Sequence, residues 1–314
     1  MSTVSKNKAK LISIDWGTTN RIGYLLDQNG NILETRRDDL GLRSIAQMSF
    51  REAFYAMADP WAKVNQNIPA LLSGMVGAST GWHEAPYCKL PIGEEDLARF
   101  VKKVPSNDPI WIVPGIACYD NNGLRDVIRG EEVQAIAASK NKTQSTIIVP
   151  GTHSKWIKVS GKKIVWFSTF ITGELHSILL NHSIISDLLN TEQNHHQDSF
   201  IKGVKLGFYQ NKKLTHILFS ARTLALFKDL DSKHISDYLS GLLIGAELSG
   251  AFEAFQSPPK EIVLVGRRDL CLHYQKALGL FGVKTSIDGL DHIGKVYAQI
   301  AKHAGLLKGK AHAK

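Results

Sequence analysis

The chain has 314 residues, 43% hydrophobic and 21% charged, which is enough apolar material for one large domain or two. Its formal charge of +9 lies in the tails: residues 1–14 hold three lysines and no acid, residues 292–314 hold five and no acid, and the stretch between carries 30 basic against 29 acidic residues. A near-neutral body without a long Lys/Arg stripe argues against a nucleic-acid surface, no apolar run approaches the roughly 18 residues of a membrane span, and three scattered cysteines (Cys88, Cys118, Cys271) without a CxxC exclude a disulfide framework or a cysteine zinc site.

The polar, basic N-terminus MSTVSKNKAK has no apolar segment behind it, so no secretory signal is expected. Residues 11–15 (LISID) read as a buried strand, followed by the turn Trp16-Gly17-Thr18-Thr19-Asn20 and a second strand, 21–27. Asn29-Gly30 is a hairpin turn and 31–36 the returning strand. Helical periodicity follows over 44–58, then a strand at 69–73 that runs into the loop 73–82. A helix with acids in its first turn is expected over 94–103, a strand at 110–113 and a helix over 131–140.

The same grammar then restarts. Residues 146–149 are a buried strand, Pro150-Gly151-Thr152-His153-Ser154 a polar turn, 155–159 and 164–169 a hairpin, and a helix begins near Glu174. After a helix-rich insertion come helices at 234–256, 269–279 and 290–305 and strands at 261–265 and 282–286. Each half thus reads β-β-β-α-β-α-β-α. The tract 190–198 (NTEQNHHQD) reads as a solvated loop. His195 and His196, with Glu192 and Asp198 nearby, lack any HExxH or Cys/His spacing, so no metal is expected there.

Two hairpins, one per half, carry Gly and Thr in their turns. Backbone N–H groups in such turns can converge on one anion, and Thr hydroxyls add donors. Two such turns suit the β- and γ-phosphates of a nucleotide.

Residues 14–20 (IDWGTTN) resemble the first phosphate motif of the actin, hexokinase and Hsp70 superfamily; VPGTHSKW (149–156) sits where that superfamily has its second, and IVLVGRRDL (262–270) where it has the adenosine motif. With SGMVGASTGW, VIRGEEVQAI, TFITGELHSILL and YLSGLLIGAEL, the chain resembles the 2-dehydro-3-deoxygalactonokinase family from about residue 11 to 305. That resemblance implies an α/β protein of two ribonuclease-H-like (actin/hexokinase-type) domains, 10–143 and 144–308, with an ATP cleft between them, a helical insertion near 183–233 and a last helix packed back on the first domain. It implies a cytoplasmic kinase that uses ATP and Mg²⁺ on a small sugar acid, with a homodimer allowed and no nucleic acid or membrane partner. One departure is the adenosine motif, which usually holds two or more glycines; here Gly266 is followed by Arg267 and Arg268.

The motifs nominate residues. Asp15 is the Mg²⁺ carboxylate, or an ordinary turn-capping Asp. Gly17, Thr18 and Thr19 form the first phosphate turn; Gly151, Thr152, His153 and Ser154 form the second, and Lys155 either reaches a phosphate or alternates outward. Gly266 and Arg267 fall on the adenosine side. The base should be a carboxylate from RDVIRGEEVQ: Asp126, Glu131 or Glu132. Glu131 is preferred, because it opens a helix after Gly130 and its surroundings resemble the GxEEA segment of exopolyphosphatases; Asp126 is second, because sugar kinases of this superfamily more often use Asp. First-turn stabilisation is the plain alternative for each. Arg129 and Arg222 are candidates for the substrate carboxylate, Ser73, Gly74 and Trp82 for a wall of the sugar site, and Glu174 for a sugar hydroxyl.

The expected reaction is transfer of the γ-phosphoryl of ATP to the 6-hydroxyl of 2-dehydro-3-deoxy-D-galactonate. Competing readings are a kinase for another 2-keto-3-deoxy sugar acid, an exopolyphosphatase-like phosphohydrolase, and a non-enzymatic sugar-sensing protein of the same fold, for whose extra binding domain 314 residues leave little room. A Rossmann dehydrogenase is disfavoured, since no GxGxxG follows the first strand.

Overall fold

The structure, a computed structural model, describes residues 8–45, 48–62, 67–120, 123–139, 142–189, 195–255 and 258–307. The chain divides into two compact units: 1–144 with 157–167 and 290–314, and 145–156 with 168–289.

The first unit is built on a six-stranded sheet. β1 (Ala9–Trp16), β2 (Arg21–Asp27) and β3 (Ile32–Asp38) form an antiparallel meander, and β4 (Ala70–Gly74) lies parallel to β1. A separate small sheet is ordered β5 (Tyr87–Lys89), β8 (Gly115–Tyr119), β9 (Arg125–Ile128). The large sheet is completed by β7 (Ile110–Ile112), parallel to β4, and β6 (Lys102–Lys103), giving the order β3-β2-β1-β4-β7-β6. Its central strands read as continuous apolar runs because both faces are covered. The edge strand β6 is two exposed lysines, which discourages pairing with another chain.

The expected helix at 44–58 is displaced. A 3₁₀ turn occupies Leu42–Ser44, and helix α1 runs Phe50–Ala62. Its start is set by a capping box: the Glu52 carboxylate accepts from the Ser49 N–H (2.8 Å) while the Ser49 hydroxyl accepts from the Glu52 N–H (3.2 Å). Its apolar face (Ala53, Phe54, Met57, Ala58, Trp61) buries against the large sheet. The expected helix at 94–103 is only α2 (Glu94–Ala98), because the chain is recruited at Lys102 into the sheet edge. Helix α3 spans Glu131–Ser139.

The second sheet is ordered β12 (Lys163–Phe170), β11 (Ser154–Ser160), β10 (Gln144–Val149), β13 (Glu261–Val265), β14 (Lys284–Asp288), again hairpin, first strand, then parallel strands. Both sheets therefore have the ribonuclease-H-like, actin/hexokinase-type order. Helix α4 (Thr172–His182) follows β12, and the insertion holds α5 (Gln197–Tyr209), α6 (Leu214–Leu218) and α7 (Ser220–Leu226) before α8 (Ile235–Ala254). Helices α5 and α8 run side by side in the same direction: a Cβ on Gly203 or Gly207 would lie 2.1 or 1.9 Å from the Tyr238 or Leu242 carbonyl oxygen, and one on Gly241 or Gly245 2.1 Å from that of Phe200 or Val204. Only glycine permits so close a crossing. Helix α9 (Arg268–Gly279) follows β13, and α10 (Ile293–His303) packs on α2 and α3 within the first unit. Residues 190–194 and both chain ends lie outside the described residues; Gln197 and Asp198 open α5 rather than closing a loop. No helix among the described residues is long and apolar enough to cross a membrane.

Candidate active site

In the first unit the turn after β1 is anchored by its carbonyls. The oxygens of Gly17, Thr18 and Thr19 accept from the N–H groups of Leu42, Arg43 and Gly41 (3.0–3.3 Å), and a Cβ on Gly41 would strike the Thr19 backbone at 2.3 Å. With its carbonyls held on one side, the turn presents its amides on the other; among the described residues no acceptor faces the N–H of Thr18 or Thr19. Oriented, unpaired N–H groups of this kind bind anions.

Asp15, at the end of β1, is partly exposed and accepts from Gln134 Nε2 at 2.7 Å. Protein packed around it pushes its carboxyl up to about 6; the charge of Glu131 adds to this, and hydrogen bonds from Gln134 and Ser73 oppose it. Two glycines admit this arrangement. Gly74 (φ +89°) and Gly130 (φ +105°) both hold left-handed backbone, and a Cβ on either would come within 3.1–3.3 Å of Asp15 Oδ1. They bring the end of β4 and the start of α3 against Asp15.

Glu131 and Gln134 share one face of α3, three residues apart. Glu131 is partly exposed and its carboxylate also accepts from the Arg129 N–H at 3.2 Å. Glu132 is fully buried: Oε2 accepts from the Gly130 N–H (2.6 Å), and Oε1 has no partner among the described residues. Burial, then the charge of Glu131, pushes Glu132 up to about 8, so it is protonated at neutral pH. Asp15 and Glu131 are near enough for their charges to interact, and both offer oxygen, the donor a hard divalent cation takes. Arg129 is buried, donates to the Ala85 carbonyl (2.7 Å) and stacks on Tyr87 (4.3 Å).

Asp126 is placed in a strand, apart from α3. It lies in β9 opposite Cys118, takes its neighbour Val127's N–H at 2.7 Å and, after burial, helps push the Cys118 thiol up to about 11. Ser73 is fully buried and its hydroxyl pairs with the Tyr297 hydroxyl at 2.6 Å. Trp82 packs on the core of the first unit, stacked on Phe50 (6.3 Å).

In the second unit the turn 151–153 is exposed or nearly so, and again its N–H groups meet no acceptor among the described residues. The Thr152 carbonyl accepts from the Glu174 N–H (2.8 Å), and Gly173 lies so close that a Cβ would be 2.3 Å from the Gly151 oxygen. The first turn of α4 therefore props the 151–153 turn. His153 Nε2 lies 2.7 Å from the Glu174 carboxylate. Lys155 is buried along β11.

Ser154 is buried and donates to Glu247 Oε1 (2.8 Å), as does Trp156 Nε1 (2.8 Å); Tyr274 Oη donates to Oε2 (2.7 Å), as does the Thr172 hydroxyl. Burial raises the Glu247 carboxyl above its ordinary value and these four donors counter it. One buried carboxyl thus ties the turn strand, α4, α8 and α9 together. Glu247 sits in the quoted YLSGLLIGAEL segment, and its signal was a lone acid in an otherwise apolar helical run. Gly266 (φ +135°) follows β13 beside the Pro150 oxygen, 3.4 Å from where its Cβ would be. Arg267 is paired with Asp269 (3.1 Å), and half-buried Arg222 donates to the Ile184 carbonyl (2.8 Å).

Residues 15–298 match the family model described as 2-keto-3-deoxy-galactonokinase. The 2-dehydro-3-deoxygalactonokinase of Escherichia coli (strain K12) is 34% identical over 274 residues, covering 87% of this chain and 91% of that protein. A Rhizobium meliloti (strain 1021) protein named as a probable 2-dehydro-3-deoxygalactonokinase is 31% identical over 275 residues, covering 85% and 88%. The crystal structure of a Sinorhizobium meliloti protein described as a candidate for that activity superposes with a TM-score of 0.83 at 29% identity, covering 94% of this chain and 98% of that one. The chain belongs to the 2-keto-3-deoxy-galactonokinase family.

Proposed function

We propose that the protein is an ATP-dependent kinase that phosphorylates the 6-hydroxyl of 2-dehydro-3-deoxy-D-galactonate in the cytoplasm. The observation that carries this reading is the family match over residues 15–298, joined by 34% identity to the Escherichia coli kinase. The turns support it, since each offers backbone N–H groups without protein acceptors.

In this reading the amides of Thr18 and Thr19, with Gly17 giving the tight turn, and those of Gly151, Thr152 and His153 take phosphate oxygens of ATP. Ser154, committed to Glu247, holds the second turn in place, and Lys155 adds positive charge beneath it. Gly266 and Arg267 take the adenosine side. Asp15 would hold Mg²⁺, with Glu131 beside it and Glu132 buried behind as a neutral acid; such an ion would offset charge on the β- and γ-phosphates. Glu131, at the start of α3, accepts the proton of the 6-hydroxyl as its oxygen attacks the γ-phosphorus and ADP departs. Asp126 is the competing base. Arg129 positions the start of α3, Ser73, tied to Tyr297, backs Gly74 and Trp82, which wall the sugar, Glu174 bonds a hydroxyl, and Arg222 keeps donors for the substrate carboxylate.

A coupled ADP-release assay over a panel of 2-keto-3-deoxy sugar acids tests this. Expected is ADP release that requires a sugar acid and is fastest with the galactonate-derived one. Equal release without any acid would convert the reading to a phosphohydrolase. No release with any member of the panel would overturn it.

A further inference from the structure

Three side chains far apart in sequence meet in the second unit, away from both turns in the chain. Asp237 stands in the first turn of α8, His195 two residues before α5, and His273 in α9. The parallel, glycine-mediated packing of α5 on α8 sets their starts side by side, which places His195 next to Asp237. His195 Nδ1 lies 2.8 Å from Asp237 Oδ1, and the other oxygen of Asp237 accepts from the His196 N–H at 2.6 Å. With its Nδ1–H given to a carboxylate, the His195 ring turns the lone pair of Nε2 outward. That lone pair faces His273 Nε2 at 3.1 Å, with the two rings perpendicular. The His273 ring is braced by buried Phe200 at 5.1 Å. Ligand atoms of all three residues lie within 4.8 Å of one another.

We propose that His195 and His273 form a zinc-type metal site, with Asp237 orienting His195. A carboxylate that fixes the tautomer of a ligating histidine is the usual outer partner at such centres. An ion about 2.0–2.1 Å from each Nε2 would see them at an angle of roughly 100°, close to tetrahedral. The His195 side chain is 71% exposed, so water completes the coordination. Imidazole nitrogens select ions of the zinc class over Mg²⁺, which takes oxygen ligands, so the site is chemically separate from the carboxylates around Asp15. Occupied, it clamps the entry to α5 onto α8 and α9 and stiffens the helical insertion.

The test is titration of the full-length, chelator-stripped protein with Zn²⁺ against a chromophoric indicator, with excess Mg²⁺ present. Expected is one equivalent bound in the micromolar range, undisturbed by Mg²⁺, with a rise in Tm. His195→Ala and His273→Ala each abolish uptake and the Tm rise while keeping the wild-type circular dichroism and zinc-free kinase activity. Asp237→Asn weakens binding about 10–100-fold, the usual cost of losing an outer-shell partner. Exposed His216→Ala serves as the control and binds as wild type. No uptake by the wild type would reduce the trio to a hydrogen-bonded strap and overturn the proposal, as would uptake that survives both histidine substitutions.

Discussion

Asp15→Asn should make the protein more stable and less active at once. The folded Asp15 carboxyl sits at about 6, against 3.8 for an ordinary Asp. A carboxyl raised by folding contributes its full stability below the unfolded pKa and loses it as pH rises toward the folded value. Two units at 1.36 kcal/mol each give a penalty of about 3 kcal/mol above pH 6, which partial exposure reduces to about 1–3 kcal/mol. Asn keeps an oxygen for Gln134 and removes the charge, so the penalty disappears. In urea unfolding with EDTA, the variant should nearly match wild type at pH 4 and exceed it at pH 8. Phosphoryl transfer in saturating Mg-ATP should fall at least about 10²-fold, as when one transition-state contact is removed. A misfolded variant would lose both properties, so the opposite signs separate function from structure. Turnover near wild type would remove Asp15 from the chemistry, and a variant less stable than wild type at pH 8 would refute the electrostatic argument.

Glu131→Gln should lower kcat by about 10²–10⁴-fold with KM for ATP little changed, whereas Asp126→Asn, in β9, should leave kcat within a few-fold; steady-state kinetics showing the reverse would transfer the base to Asp126. Gly173→Ala pushes a methyl into the Gly151 oxygen and should raise KM for ATP about tenfold or more with the fold intact. An unchanged KM would mean that the 151–153 turn does not hold phosphate. Glu247→Leu orphans four donors at about 1–3 kcal/mol each and should cost more than about 4 kcal/mol in urea unfolding. A loss below about 1 kcal/mol would show that those donors find other acceptors.

The hairpins and both Gly/Thr turns were legible in the sequence because they are local: apolar alternation, Asn29-Gly30 and Gly161 specify them within a few residues. The start of α1 was legible too, in the Ser49–Glu52 capping box, and periodicity alone placed it too early. The end of α2 was not, because Lys102 and Lys103 leave helical periodicity only to meet Ile112 and Trp111 across the sheet. The β5-β8-β9 sheet escaped for the same reason: strands of three to five residues, two of them parallel, are specified by partners far along the chain.

The sequence by itself determined which residue types stand at the turns and the family to which the chain belongs, since both are matters of order along the chain. Tertiary structure decided what those residues experience. Glu132 is raised to about 8 by burial and by the neighbouring charge of Glu131, and of these two residues, adjacent in sequence, it is the one that the fold buries completely. Glu247 became the anchor of the second turn only when β11, α4 and α9 delivered four donors to it, and His195, Asp237 and His273 converged only when glycines let α5 and α8 touch. Charge, burial and convergence are properties of surroundings in space, which no spacing along the chain encodes.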